Sequence, residues 1–325
     1  MQTDRRPRTP RLCLLLLTAC LSGPAIAAAP RIEPSDDGPR VTVDGELFTQ
    51  YRTDLGSKPI LWPILGPTGK EMTRGFPMRK AAPGETADHV HHKSLWFGHQ
   101  LMNGVDYWLE PASKQQGSDQ PAVVDVGRPE IANEDDGAVL RSRRRWLAPG
   151  GETVCTDETT YRFGADDDSR WIDYQTTISP VGKPLVIGDT KEGLFAVRVA
   201  DSMRQDAGLG GTIVNDSGQR DADCWGQRAC WVDYSGPVDG QLAGIAIMSH
   251  PTNDRPRPRW HVRTYGLFAA NPIGEKDFPP IEGYRQGTVT AAVGEPLTFR
   301  YRVLLHRGGA AEADLASQFE AYCAE

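Results

Sequence analysis

Several common functional signatures are missing from this 325-residue chain. It has no GxSxG nucleophile elbow, no P-loop and no GxGxxG turn leading into a helix, so we expect no nucleotide cofactor. It also has no CxxC pair, which argues against a zinc knuckle. Its longest basic run is Arg143–Arg145, and its formal charge is −7. Neutralising phosphates requires clustered Lys and Arg, so nucleic acid is excluded as a partner.

Long apolar runs are scarce, and the one at the amino terminus has a targeting pattern. A basic stretch, the apolar residues Leu12–Ala19 and the small-x-small motif Ala25-Ile26-Ala27 predict a signal peptide over residues 1–27. The alternative is a lipobox that would anchor the protein through a lipid on Cys20. No later segment approaches the roughly 20 apolar residues of a spanning helix. We therefore expect an exported protein, periplasmic or extracellular, or one that is lipid-anchored through Cys20.

Export changes the charge and the cysteine chemistry. Cleavage after Ala27 removes four arginines and Asp4, so 36 basic and 43 acidic residues become 32 and 42, a charge of −10. An oxidising compartment permits disulfides, and Cys224 and Cys230 are close enough in sequence to close a small loop. Three pairings of the four remaining cysteines stay open. These cysteines are Cys155, Cys224, Cys230 and Cys323.

The body of the chain is rich in turns and alternating strands. It contains 34 glycines and 25 prolines, which suit a β protein better than a helix bundle. Asp44-Gly45 predicts a tight turn between strands 40–43 and 46–51. Residues 171–178 and 297–306 alternate between apolar and polar, and 242–248 is apolar on both faces. Further strands are expected at 60–65, 95–99, 122–126, 138–147, 153–163, 194–200, 230–234, 260–268 and 288–292.

These patterns predict an all-β fold. We expect a flexible linker at 28–38, followed by one large antiparallel β-sandwich over 39–325, because no Pro/Ser linker or repeat divides the strands. Leu315, Phe319 and Tyr322 recur at helical spacing and predict one short C-terminal helix. The irregular segments 66–94 and 251–259 interrupt the strands, and such segments often carry function.

Four polar clusters supply the candidate site residues. The segment Asp88–His99 contains four of the seven histidines, and imidazole suits acid/base work or metal binding. The segment Asp189–Gly193 places a carboxylate, Glu192, at the mouth of an apolar strand. His250 ends the buried strand 242–248. In the fourth cluster, alternation places His261, Arg263 and Tyr265 on one face, as suits recognition of hydroxyls or carboxylates.

The order of several motifs resembles a bacterial family of unknown function labelled "methane oxygenase PmoA". The motifs are Trp62–Pro67, Asp88–Gly98, Asn103–Trp108, Lys191–Phe195 and Tyr265–Pro272. The resemblance implies a β-supersandwich similar to the galactose-mutarotase-like folds, whose members commonly bind or process carbohydrates. Methane oxidation is not carried over, because the subunit of that name spans the membrane and this chain has no spanning segment after its signal peptide.

We therefore expect an exported carbohydrate-active protein that works by acid/base chemistry, as an epimerase, hydrolase or lyase. Glu192 is the expected general base and His92 the general acid, with His250 as a competing candidate. A carbohydrate or another small molecule is the expected partner, without a cofactor. The residues expected to bind the substrate are His91, Trp96, Lys191, His261, Arg263 and Asn271.

Two alternatives stay open from the sequence. In the first, a divalent metal ion is held by His91, His92 and either His99 or His250, with Glu192 as ligand or base. In the second, the protein is a sugar-binding module without catalytic activity.

Overall fold

The computed structural model of the chain describes Met1 and residues 29–110, 119–283 and 285–325. The expected signal peptide, with its cleavage after Ala27 and the alternative lipidation of Cys20, lies outside these residues apart from Met1. No helix in the described ranges is long and apolar enough to cross a membrane.

The strands are β1 (Arg31–Glu33), β2 (Arg40–Val43), β3 (Glu46–Arg52), β4 (Ile60–Ile64), β5 (Leu95–His99), β6 (Ala122–Asp125), β7 (Glu130–Asn133), β8 (Ala138–Leu147), β9 (Thr153–Ala165), β10 (Ser169–Pro180), β11 (Leu185–Ile187), β12 (Gly193–Arg198), β13 (Thr212–Asn215), β14 (Trp231–Val238), β15 (Gln241–Ser249), β16 (Arg259–Val262), β17 (Leu267–Asn271), β18 (Val289–Ala291) and β19 (Leu297–Arg307).

Two large antiparallel sheets contain nearly all of these strands. Sheet A has eight strands in the order β1-β2-β3-β4-β5-β12-β17-β16. Sheet B has nine, in the order β13-β14-β15-β19-β10-β9-β8-β6, with β7 pairing to β8. A small sheet pairs β11 with β18. Because β12 inserts between β5 and β17, sheet A brings segments that are far apart in sequence onto one surface.

The main core lies between the inner faces of the two sheets. Phe97 of β5 stacks on Tyr174 of β10 with ring centroids 5.5 Å apart, and Phe195 of β12 stacks on Tyr301 of β19 at 4.8 Å. The alternation that placed Tyr174 and Tyr301 on inward faces is therefore confirmed. Together with the antiparallel pairing, this confirms the predicted all-β sandwich.

Local turn chemistry explains the predicted hairpin and corrects one predicted strand. Asp44 and Gly45 both adopt positive φ angles, 52° and 79°, as a tight hairpin turn requires. The prediction of one strand over 260–268 is wrong. The chain instead turns between β16 and β17, and Gly266 adopts a φ of 101° that favours glycine.

Four short strands have no counterpart in the sequence analysis, namely β1, β7, β11 and β13. Each has three or four residues, too few for alternation to be recognised. Strand β1 lies inside the segment 28–38 that was expected to be a flexible linker. It pairs with β2 and buries Ile32, so this part of the expected linker belongs to the edge of sheet A.

The C-terminal helix α1 (Leu315–Cys323) confirms the last predicted element. Its residues Leu315 and Tyr322 pack with Ala246, Met248 and Leu304 on the outer face of sheet B. The four cysteines of the described residues, Cys155, Cys224, Cys230 and Cys323, are free thiols. The loop-closing bond between Cys224 and Cys230, one of the open pairings, is therefore not formed.

Candidate functional site

The outer face of sheet A carries a row of side chains that are direct cross-strand neighbours. The row runs Ile60, Trp96, Ala196, Ala269 and His261 across β4, β5, β12, β17 and β16. Three strand spacings separate Trp96 from His261, so their backbones lie about 14 Å apart. Between them, Ala196 and Ala269 form a floor of small residues. Both alanines are fully buried, because Trp62, Met78 and Tyr265 pack over this apolar cluster.

An aromatic cluster, His89, His92, Trp96, Trp108 and Tyr265, stands on one side of this floor. The His92 ring stacks between His89, at 4.7 Å and 9°, and Trp96, at 5.5 Å and 19°. Tyr265, from the turn after β16, stacks on His89 at 5.1 Å. Trp108 lies 5.3 Å from Trp96. His89 and His92 of the irregular segment 66–94 therefore lie on the same surface as Tyr265 of the β16–β17 turn.

The protonation of His92 is determined by its partner. Nδ1 of His92 lies 3.2 Å from Nη1 of Arg198, and a guanidinium can only donate. Nδ1 therefore accepts, and the ring proton is on Nε2. Burial, assisted by His91 and Arg198, holds the pKa of His92 well below its usual range. His92 is thus a neutral hydrogen-bond donor near neutral pH, and its expected role as general acid stays a prediction.

His261 has the opposite tautomer and lies beside Glu192. Its Nδ1 is 3.1 Å from the carbonyl oxygen of Lys191, which can only accept, so Nδ1 carries the proton and Nε2 is a free base. Burial, followed by Arg263 and Lys191, lowers the pKa of His261 to about 3. Oε2 of Glu192 lies 3.9 Å from the same Nδ1. The side chain of Glu192 is 19% exposed, and Oε1 is 3.2 Å from Nζ of Lys191.

Two arginines and an aspartate behind the aromatic cluster were missed in the sequence. Arg74 and Arg198 have fully buried side chains, and both form ion pairs with Asp88, whose side chain is 44% exposed. Although burial raises the pKa of Asp88, Arg198 and Arg74 together lower it. Arg198 also lies over the Tyr265 ring, 5.0 Å from its centroid. A signal was present, because Arg198 is the one charged residue of the otherwise apolar strand β12.

Two residues predicted for the acid/base site, His250 and Asn271, are not available on this surface. His250 follows β15 of sheet B, where its ring packs against Tyr322 of α1 and Nδ1 contacts the Thr252 hydroxyl. The sequence predicted that His250 ends a buried strand, but it did not show that this strand belongs to sheet B. Asn271 is fully buried, and its amide bonds the carbonyl of Thr190 and the N–H groups of residues 273 and 274. It stabilises a turn and is not free to bind a substrate.

The predicted metal site of His91, His92 and His99 is not assembled. His91 and His92 are neighbours, with ring centroids 4.4 Å apart. His99 pairs with Gly193 at the other end of β5 and points into the core, opposite to Trp96, because side chains alternate along a strand. Its Nε2 is 2.7 Å from the carbonyl of Gly188. Within the described ranges, no group of three or more His, Cys, Asp or Glu residues could hold a metal.

His91 lies at the border of a buried ionic cluster. Burial, followed by His89 and Lys58, lowers the pKa of His91 to about 4. The cluster itself places Glu110 between Lys58, whose Nζ is 2.5 Å away, and Lys93, at 3.3 Å. Burial raises the pKa of Glu110, but the two ammonium groups outweigh it and bring the value to about 2. Lys93 lies two residues before β5, so the ionic cluster lies beside the start of the strand that carries Trp96.

Comparison with known proteins shows the family. Residues 39–320 match DUF6807, which is described as a family of unknown function. No curated protein matches the chain. The predicted resemblance to the family labelled "methane oxygenase PmoA" is not tested by this match and stays a prediction.

Two solved structures show a distant likeness. One is a variant of a Glycoside Hydrolase Family 97 enzyme from Pseudoalteromonas sp. strain K8, at 10% identity and a TM-score of 0.35 over 88% of this chain. This chain spans only 36% of that enzyme. The other is a galactose mutarotase-like protein from Lactobacillus casei ATCC 334, at 10% identity and a TM-score of 0.38, covering 86% of this chain and 100% of that one. TM-scores this low support no transfer of activity.

Proposed function

The chain belongs to the DUF6807 family of unknown function, and we propose that it is a carbohydrate-active enzyme that works by acid/base chemistry on the outer face of sheet A. The observation that carries the proposal is the Glu192–His261 pair, 3.9 Å apart, beside aromatic rings that a sugar can stack on. Aromatic faces and a few placed polar groups are what a ring with many hydroxyls requires.

The proton chemistry follows from the partners of each group. Glu192 is partly exposed, so its carboxylate can take a proton from a substrate carbon or hydroxyl. The fixed tautomer of His261 directs Nδ1–H at the Lys191 carbonyl, and the Glu192 carboxylate lies 3.9 Å from the same nitrogen. His92 is 1% exposed, and its Nε2–H is the group that would donate to a hydroxyl or leaving-group oxygen. We retain Glu192 as the general base, with His261 as its neighbour, and we do not retain His250 as the competing acid, because it lies on sheet B.

The test is a screen for turnover followed by one substitution. Purified protein is incubated with mono- and oligosaccharides, and ring epimerisation, bond hydrolysis and double-bond formation are followed by NMR. On a substrate that turns over, Glu192→Gln should lower kcat by about 100- to 10,000-fold, the usual contribution of a general base. The thermal midpoint should change little, because Glu192 is partly exposed and its ion pair with Lys191 lies near the surface.

A matched control uses the exposed pair between Glu152 and Lys183, 3.3 Å apart. Glu152→Gln removes a carboxylate from a similar lysine contact and should leave kcat unchanged. Equal activity of wild type and Glu192→Gln on the same substrate would refute the assignment of the base.

We also propose that the protein is exported. The signal peptide pattern over residues 1–27 supports the proposal. Intact-mass measurement of the protein from a bacterial host distinguishes its two forms. Cleavage after Ala27 gives an unmodified chain beginning at Ala28, whereas the alternative gives a lipid mass on Cys20. A full-length chain in the cytoplasm would contradict export.

A further inference from the structure

Arg263 is unusual among the cations of this surface because it has no acidic partner. Lys191 pairs with Glu192 at 3.2 Å, Arg198 with Asp88 at 3.1 Å, and Arg204 with Asp206 at 2.8 Å. Within the part of the chain that the structure describes, Arg263 has no ion pair. The chain as a whole carries a net charge of −7, so an unpaired guanidinium at a candidate site is not explained by a shortage of carboxylates.

The guanidinium of Arg263 is held in place without a carboxylate. Its central carbon lies 5.3 Å from the Trp225 ring centroid and 5.7 Å from the Tyr265 ring centroid. Cation–π contacts of this kind engage the plane of the guanidinium and leave its N–H edge available. The charge of Arg263 also acts on His261. Burial is the largest cause of the lowered pKa of His261, and Arg263 is the largest among the neighbouring charges.

We propose that Arg263 binds the carboxylate of an acidic sugar, a uronate, at the candidate site. This inference rests on the proposed function. A planar two-oxygen carboxylate matches the N–H fork of arginine, which binds it through two parallel hydrogen bonds. The ligand ring then lies against Tyr265, with Glu192 and His261 on the neighbouring strand ends. The carboxylate supplies the ion-pair partner that Arg263 lacks among the described residues.

The test measures binding of D-glucuronate and D-galacturonate oligosaccharides, and of the matching neutral oligosaccharides, by calorimetry or NMR titration. Wild-type protein should bind an acidic sugar about 10- to 100-fold more tightly than its neutral counterpart, as charge-assisted hydrogen bonds imply. Arg263→Gln should abolish that preference, so that acidic and neutral sugars bind with equal affinity. Arg263→Lys, which keeps the charge and loses the fork, should retain only part of it.

Arg145→Gln is the matched control, because Arg145 is an exposed arginine of β8 on sheet B, and the preference should persist in it. Circular dichroism and the thermal midpoint of each variant establish that it is folded. Equal binding of acidic and neutral sugars by wild type overturns this inference and leaves the proposed function standing. An acidic preference that survives Arg263→Gln, or a preference for sulfated over carboxylated sugars, also overturns it. Binding of no sugar of either kind overturns both proposals.

Discussion

The ionic cluster around Glu110 gives the sharpest stability prediction. Its carboxylate lies between Lys58 and Lys93, and the exposed fractions of the three side chains are 5%, 2% and 9%. Glu110→Gln keeps the shape and removes the carboxylate that both ammonium groups contact. Lowering the carboxyl pKa from 4.5 to about 2 corresponds to about 3 kcal/mol of folding free energy at neutral pH. We therefore expect the variant to be less stable by about 3 kcal/mol.

The sign of the pH dependence follows from the lowered pKa. A carboxylate whose pKa is lower in the folded state stabilises the fold above its unfolded pKa, and this stabilisation is lost as pH falls through the folded pKa. The stability difference between wild type and Glu110→Gln should be complete above about pH 5 and should disappear as pH approaches 2.

The assay is urea unfolding, followed by tryptophan fluorescence, at a series of pH values. Glu152→Gln serves again as the control, because its pair with Lys183 is largely exposed and should be worth about 0–1 kcal/mol. A Glu110→Gln variant within 1 kcal/mol of wild type at pH 7 would show that the two lysines are solvated well enough to need no counter-charge, and would refute the reasoning.

Three further predictions concern stability. Gly244→Ala should cost about 1–3 kcal/mol in urea unfolding, because its Cβ would lie 2.3 Å from Cε1 of His306, which reaches over Gly244 to bond Asp233. Burial lowers the pKa of His306, but Asp233 outweighs it and raises the pKa overall. The stability difference between wild type and His306→Gln should therefore be largest below pH 6.5 and become smaller as pH rises. A stability difference that stays constant with pH would contradict the ion pair. Asn271→Ala should lower stability by about 1–3 kcal/mol, because buried backbone groups lose their partner, and should leave the affinity of the folded protein for sugar unchanged in a titration.

Local patterns were sufficient for most of the sandwich. The Asp44-Gly45 hairpin and the alternation of β10 and β19 depend on neighbours one to eight residues apart, which a sequence displays directly. The β16–β17 turn was missed because Arg263 and Tyr265 continue the alternation of His261 with period 2, as a strand would. Four short strands are held by their partners and not by their own patterns, so only the folded sheet reveals them.

The candidate site was predicted in part. Glu192 was named from its position at a strand mouth, and His261 and Arg263 from alternation along an expected strand. Their proximity depends on β12 pairing with β17, and β17 with β16. His250 had an equally good local pattern and lies on the other sheet. Alternation along β5 would have separated His99 from Trp96, because side chains three positions apart in a strand lie on opposite faces of the sheet. Arg198 had a signal in the sequence, as the one charged residue of β12, whereas Arg74 could be recognised only from its ion pair with Asp88.

The stacked rings above the alanine floor also determine how readily a ligand can reach it. Ala196 and Ala269 are inaccessible while Tyr265 packs over them and stacks on His89. Separating an aromatic pair of this kind costs about 0.5–1.5 kcal/mol, which corresponds to an open population of about one molecule in three to one in fourteen. The apparent affinity of any ligand that must contact the alanine floor is therefore reduced in proportion to the open population. A substitution that removes the His89 ring would raise its apparent affinity without adding a single contact.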